Sequence, residues 1–211
     1  MTTTISGTSG VTFPAGGVGN PAGAVVGTTD TQTLTNKTLG PGLVAGASYL
    51  TSGTAVTLTT QTNVDITGIP SWAKRITMML NAASVSATAP YLMYQLGYGA
   101  TPTFETTGYL GNAGGVNSAP SAIFAVNSTA AFVYCNGLAG ITDTLSGSIV
   151  LTNVSGNIWT SVGTVSRNGN NAMFMSAGSK TISGGALTAI RFTTSSGTDT
   201  YDAGSINILY E

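Results

Sequence analysis

The sequence predicts a mainly β protein, in which an antiparallel, jelly-roll-like β-sandwich follows an extended N-terminal arm. Threonine is frequent, and its branched β-carbon packs well on a pleated surface. From about residue 49 the chain consists of short apolar–polar alternations separated by turn signals, which is typical of a sandwich or barrel. No later segment keeps a helical period for three turns, so we expect strands throughout.

Residues 1–48 form one compositional unit, rich in glycine and proline, in which the apolar residues follow no sustained period. Such a segment cannot bury a core by itself. Its scattered single hydrophobes favour an arm that a partner orders, rather than a flexible tail. We therefore predict two parts, an anchoring arm over residues 1–48 and a β-sandwich domain over residues 49–211.

About nine strands are expected in the sandwich domain. In "KRITMMLNA" the apolar side chains of Ile76, Met78 and Leu80 share one face, as in a half-buried strand. The preceding Pro70 suits the start of a strand better than a helix. The other predicted strands lie in "GTAVTLTTQTNVDITGI", "YLMYQLGYG", "SAIFAV", "AAFVYC", "GSIVLTNV", "NIWTSVGTV", "ALTAIRFTT" and the last strand, "SINILYE".

Two glycine-containing segments are interpreted as connections. Ser155-Gly156-Asn157 is a short link between two predicted strands and indicates a hairpin, hence antiparallel pairing. The segment "GNAGGVNSAP" near residues 111–120 lacks the Lys-Ser/Thr ending of a phosphate-binding loop, and no helical pattern follows it. It is predicted to be an ordinary loop.

Charge is scarce, with six Lys or Arg and seven Asp or Glu, or 6% of the chain. The cations are too scattered to displace counterions from a nucleic acid, which argues against nucleic-acid binding. A monomer with so few charges has little colloidal protection, whereas a subunit of a large assembly needs less. No stretch approaches the roughly 20 apolar residues of a membrane span, and no secretory signal is apparent, so we expect synthesis in the cytoplasm without membrane attachment.

The sequence offers little for catalysis. There is no histidine, which removes the commonest general base and metal ligand. Cys135 lies among apolar neighbours and is predicted to be a buried, inert thiol. Asp199 and Asp202 resemble turn-stabilising residues more than half of a cation site, and Glu105 and Asp143 are isolated in sequence. We therefore expect a non-enzymatic protein without metal or cofactor.

Aromatic residues leave two interpretations open. Flat rings can stack on sugars, and candidate surface-recognition residues are Trp72, Tyr91, Tyr98 and Tyr109. The same types of residue more often pack the core and rim of a sandwich of this size.

The strip "TDTQTLTNKTL", residues 29–39, resembles a motif of bacteriophage tail-fibre and related virion proteins, commonly found just upstream of a fibre or head domain. The resemblance implies that the strip is extended and associates with a trimer or docks on the particle. Its implied assembly and anchoring residues are Asp30, Thr31, Gln32, Thr33, Leu34, Thr35, Asn36, Lys37, Thr38 and Leu39. The segment from "ITGIPSWAKRITMML" to "TDTYDAGSINILYE" also resembles a small β-domain of phage and prophage structural genes.

After Leu39 the chain continues with "GPGLVAGA" instead of the Thr-rich repeats of a long shaft. The resemblance therefore implies a virion structural protein that forms a short homotrimeric appendage and binds other capsid or tail proteins. Contact with a host surface glycan is left open as a further role of the sandwich. A capsid decoration, or cement, protein that stabilises the head is the alternative. A free glycan-binding module and a depolymerase are lesser alternatives, and the depolymerase would require two carboxylates about 5–10 Å apart in a groove.

Overall fold

The computed structural model describes residues 4–6, 10–12, 50–87, 90–117, 123–138, 142–169 and 171–211. The chain divides into two units, Met1–Ala47 and Ser48–Glu211. Within the first unit the described residues form one antiparallel hairpin, in which β1 (Thr4–Ser6) pairs with β2 (Gly10–Thr12). The predicted extended character of the rest of the arm lies outside the described residues.

The second unit consists of strands, without a helix in its described part. In chain order they are β3 (Thr51–Ser52), β4 (Val56–Thr57), β5 (Val64–Thr67), β6 (Arg75–Val85), β7 (Leu92–Tyr98), β8 (Thr103–Phe104), β9 (Leu110–Val116), β10 (Ile123–Asn127), β11 (Phe132–Cys135), β12 (Thr144–Ser155), β13 (Ile158–Asn168), β14 (Ala172–Thr181), β15 (Leu187–Thr194) and β16 (Tyr201–Tyr210). Accordingly, the described residues include no helix that could cross a membrane.

The strands form two antiparallel sheets. The large sheet has the order β10-β9-β14-β13-β12-β6-β16-β3, and β4 also pairs with β16. The small sheet has the order β11-β7-β15-β5, and β8 also pairs with β7. The two sheets pack on one another, so the prediction of an antiparallel β-sandwich is confirmed.

The chain passes repeatedly between the two sheets, as in a jelly roll. A jelly roll has eight strands in two sheets of four. The same number results here when the β12-β13-β14 meander is counted as one strand and the side strand β8 is left out: β5, β15, β7 and β11 form one sheet, and β6, the meander, β9 and β10 form the other. The predicted hairpin at Ser155–Asn157 joins β12 to β13, and Gly156 has a φ of 50° at the first position of the turn. The fold is therefore a jelly roll in which one strand has been expanded into three.

Side chains from both sheets fill the core. Tyr94 and Phe192 come from the small sheet, and their rings lie 5.9 Å apart. Because a buried hydroxyl needs a partner, the tyrosines are paired across the sandwich: Tyr94 hydrogen-bonds Ser161 of β13, and the hydroxyls of Tyr134 and Tyr201 lie 3.1 Å apart. These bonds fix how the two sheets are placed relative to one another.

Among the strands of seven or more residues, β9 and β14 were not predicted from the sequence. The supposed loop near residues 111–120 contains most of β9, which pairs with both β14 and β10, so that prediction is wrong. Glycines of β9 and β14 have a packing role. A Cβ on Gly178 of β14 would lie 2.6 Å from the carbonyl oxygen of Leu110, and a Cβ on Gly111 of β9 would lie 2.9 Å from the carbonyl oxygen of Ala177. Glycine thus lets β9 and β14 approach one another, at the cost of strand propensity.

Candidate functional site

A groove of about 530 Å³ lies where β9, β14 and the connection between β10 and β11 meet. Small residues, Gly111, Ala177 and Gly178, form part of its lining, because side chains there would obstruct the close contact of the two strands. Leu110 stands beside them with 70% of its surface exposed. No sequence pattern indicated this groove, because its residues come from three separate segments.

Neutral polar groups complete the groove. Asn112 and Asn127 are directly opposite one another in the β9–β10 ladder and are both exposed. Among the described residues their side-chain amides have no hydrogen-bond partner, so they are available to a ligand. Ser128 and Thr129 add hydroxyl groups, and none of the described residues that line the groove is charged. The arrangement suits a neutral ligand that carries hydroxyl or amide groups.

Tyr109 was predicted as a surface-recognition residue, and this prediction is wrong because only 1% of its surface is exposed. Its hydroxyl accepts a hydrogen bond from the Leu96 amide at 2.7 Å and donates one to the carbonyl of Glu105 at 3.2 Å. Its own amide donates to the carbonyl of Thr129 at 3.1 Å. Tyr109 therefore positions the groove rather than presenting a ring to a ligand.

The other three aromatic candidates do not form a common surface. Trp72 is 52% exposed and contacts Tyr210 edge to face. Tyr91 precedes strand β7 and Tyr98 is its last residue, so at about 3.3 Å per residue their backbones lie roughly 20 Å apart. Tyr98 is also packed partly against the core. A single aromatic sugar-binding platform is thus absent from these positions, and the groove is separate from them.

The ten residues predicted to anchor the arm, Asp30 to Leu39, lie outside the described residues. Their role stays a prediction.

A buried ion pair lies beneath the groove. The Lys180 ammonium is 2.8 Å from Glu105 Oε2 and 5.3 Å from the centre of the Tyr109 ring. The other carboxylate oxygen of Glu105 accepts hydrogen bonds from the amide and hydroxyl of Ser183 at 2.6 and 2.7 Å. Burial alone would raise the pKa of Glu105, but the bonds from Lys180 and Ser183 outweigh it and lower the pKa from 4.5 to about 2.

This lowered pKa predicts loss of stability in acid. Because the folded pKa lies below the unfolded one, Glu105 contributes its full stabilisation above about pH 4.5 and loses it as the pH falls towards 2. We expect the urea midpoint to fall across that window, and the fall to be smaller in Glu105→Gln, which lacks the titrating group. Urea unfolding of both proteins from neutral pH to pH 2 measures the difference. An equal fall in both would contradict the assignment to Glu105.

The second isolated carboxylate is also paired with a cation. Asp143 lies 3.8 Å from the Arg167 Nε, and Arg167 donates a hydrogen bond to the carbonyl of Gly137 at 2.7 Å. Nearby Cys135 is buried, as predicted, and burial raises the pKa of its thiol to about 12. Such a thiol is a poor nucleophile at neutral pH.

The Ser196 hydroxyl donates a hydrogen bond to the Asp199 carboxylate and accepts one from the Asp199 amide. Asp199 therefore stabilises the turn before β16, as predicted. The described residues hold no group of three or more His, Cys, Asp or Glu side chains that could bind a metal ion.

No protein-family model matches this chain, and neither a curated protein nor a solved structure matches it. A functional inference therefore rests on the residues and on their geometry.

Proposed function

We propose that this chain is a non-enzymatic structural protein of a bacteriophage particle. It forms a short trimeric, fibre-type appendage, which its N-terminal arm anchors to the particle and whose β-sandwich is displayed outward. The observation that carries the proposal is the order of the parts. The fibre-like strip at residues 29–39 lies a few residues before a jelly-roll sandwich, whose described part begins at residue 50.

The low charge and the spaced hydrophobes of the arm support this role. Residues 1–48 contain one acid and one base, Asp30 and Lys37, so little charge has to be desolvated when the arm docks. Single apolar residues such as Leu34 and Leu39 gain roughly 25 cal/mol per Å² when they are buried on a partner. Three-fold closure repeats each contact and offsets the entropy of ordering the arm.

The groove supports the outward role of the sandwich. Its free amides, its hydroxyls and its lack of charge suit the hydroxyl groups of a neutral glycan on a host surface. The ion pairs of Glu105 and Asp143 support binding rather than hydrolysis. A general acid needs a raised pKa, whereas the pKa of Glu105 is lowered.

Capsid decoration is the second candidate function. One observation favours it: the sandwich has a broad outer face without charged side chains, described below, which suits assembly through the sandwich itself. In that case the arm is free to contact capsid subunits.

The location of the chain on purified particles tests the proposal and separates the two candidates. Mass spectrometry of gradient-purified particles is expected to detect the chain at a fixed ratio to the major structural proteins. Electron microscopy with a labelled antibody is expected to place it at the tail or a vertex for an appendage. Label spread over the head would instead identify a decoration protein. Absence from particles whose genome encodes the chain would refute both.

A further inference from the structure

The outer surface of five neighbouring strands, β10, β9, β14, β13 and β12, carries no charged side chain among its described residues. These strands contain only two charged residues, Arg167 and Lys180, and both point inward and are buried in ion pairs. The nearest charges in the sheet, Arg75 and Glu211, pair with each other beyond β12. We call this outer surface the assembly face, without two parts of it: the groove, at Leu110, Asn112, Asn127 and Ala177, and the hairpin end of β12, at Val154.

Apolar side chains form a continuous band across the assembly face. Val150 of β12 is directly opposite Val162 of β13, and Met175 of β14 lies diagonally beside Val162. Met173, two residues before Met175, is directly opposite Val116 of β9. Val116, Val162, Met173 and Met175 are all exposed, and Ser and Thr side chains surround them. Methionine enrichment and charge depletion are typical of protein interfaces.

The opposite side of the sandwich carries an ion pair that is partly exposed. On the small sheet Arg191 makes a two-bond ion pair with Asp65, at 2.7 Å for each bond, and its guanidinium lies 4.0 Å from the ring centre of Phe104. The small sheet thus presents a partly exposed ion pair, whereas the described outer surface of the five strands presents no charge.

We propose that the assembly face binds a second copy of this chain and holds the copies of the oligomer together. A surface that meets its own copy must avoid unpaired like charges, and a face with none meets that condition at any rotation of the partner. A different, charged partner would instead be recognised through complementary charges, which this face does not offer.

The size of the face fits such an interface. Five strands about 4.8 Å apart and about 30 Å long cover roughly 700 Å². Each partner in a stable protein interface of standard size buries about 800 Å². Most of this area remains when the groove is left out, so the face comes close to the size that holds two copies together.

This inference deepens the proposed function, because it rests on the homo-oligomer and names the surface that forms it. It assigns assembly to the sandwich, which leaves the arm available for the particle. The chain would still be found on particles if the copies were held together by another surface, so the two proposals fail in different experiments.

Two aspartate variants of the full chain test the assembly face. Val162 and Val154 are the same residue type and are equally exposed, at 59% each, but Val162 lies in the apolar band and Val154 lies at the end of β12 beside the hairpin turn. Val162→Asp places a charge in the proposed interface, and Val154→Asp is its matched control. Sedimentation velocity over a range of concentrations measures the mass of each protein.

We expect the unaltered chain and Val154→Asp to form the same oligomer. The Val162→Asp oligomer is expected to dissociate into monomers at a protein concentration ~100-fold or more above that at which the unaltered oligomer dissociates. Circular dichroism checks that each variant is folded, and Met175→Lys serves as a second charged variant if Val162→Asp fails to fold. The proposal is overturned if the band variants keep the oligomer of the control. A monomeric unaltered chain also overturns it, since the face would then be covered by something else, such as residues 1–47.

Discussion

Replacement of Phe174 by Ala is expected to lower the free energy of unfolding by about 3–5 kcal/mol. The Phe174 side chain is fully buried between the sheets, with 0% of its surface exposed. The Arg167 guanidinium lies 5.5 Å from the centre of its ring, so the substitution removes both packing and a cation–π contact. The truncated side chain leaves a cavity that a rigid β-sandwich can refill only in part.

Urea unfolding at one fixed protein concentration measures this effect. Leu110→Ala is the control, because Leu110 is a large apolar residue on the neighbouring strand β9 but is 70% exposed. Its replacement is expected to change the free energy of unfolding by less than about 0.5 kcal/mol. If the two variants lost equal stability, Phe174 would not lie in the core, and the alternation of β14 between inside and outside would be reversed.

The second large effect concerns the ion pair beneath the groove. Lys180→Met leaves the Glu105 carboxylate buried without its cation, and we expect a loss of about 3–5 kcal/mol in the free energy of unfolding at neutral pH. Lys74→Met, at an exposed lysine, is the control and is expected to stay within about 0.5 kcal/mol of the unaltered protein. Thermal and urea unfolding at neutral pH provide the measurements.

A double variant shows whether the loss comes from the unpaired charge. Lys180→Met combined with Glu105→Gln leaves no buried charge at this position, so it is expected to regain part of the stability lost in Lys180→Met alone. An additive loss in the double variant would instead mean that Lys180 stabilises the fold mainly by packing against Tyr109.

Strands in which apolar and polar side chains alternate clearly could be predicted from the sequence. In β6 the buried residues Ile76, Met78 and Leu80 are separated by partly exposed ones, and the final strand β16 shows the same contrast at Ile206 and Ile208. Strand β14 gave no such signal, because Met173 and Met175 on its outer face are as apolar as Phe174 within. The apolar residues on the outer face of β14 thus remove the apolar–polar alternation by which the strand would have been predicted.

The groove and its support could not be predicted for a different reason. Glu105 and Lys180 are 75 positions apart, and only the pairing of folded strands brings them together. Tyr109 was a candidate because flat rings can stack on sugars, whereas the two hydroxyl bonds that hold it inside go to backbone groups and have no sequence signature. Gly111 belongs to the segment that was predicted to be a loop, although Gly111 and Gly178 let two backbones approach closely.

The lengths of the strands have a consequence for aggregation. In the two sheets of the sandwich, each described strand with a free edge is short. Strands β3, β4 and β8 have two residues, β5 and β11 have four and β10 has five, whereas the strands that they cover have seven to ten. Charged side chains, especially lysine, are one common protection of exposed edges, but this chain has few of them. Short edge strands offer an incoming chain too few unpaired backbone N–H and C=O groups to extend the sheet. The protein thus keeps its sheets from growing without using charge.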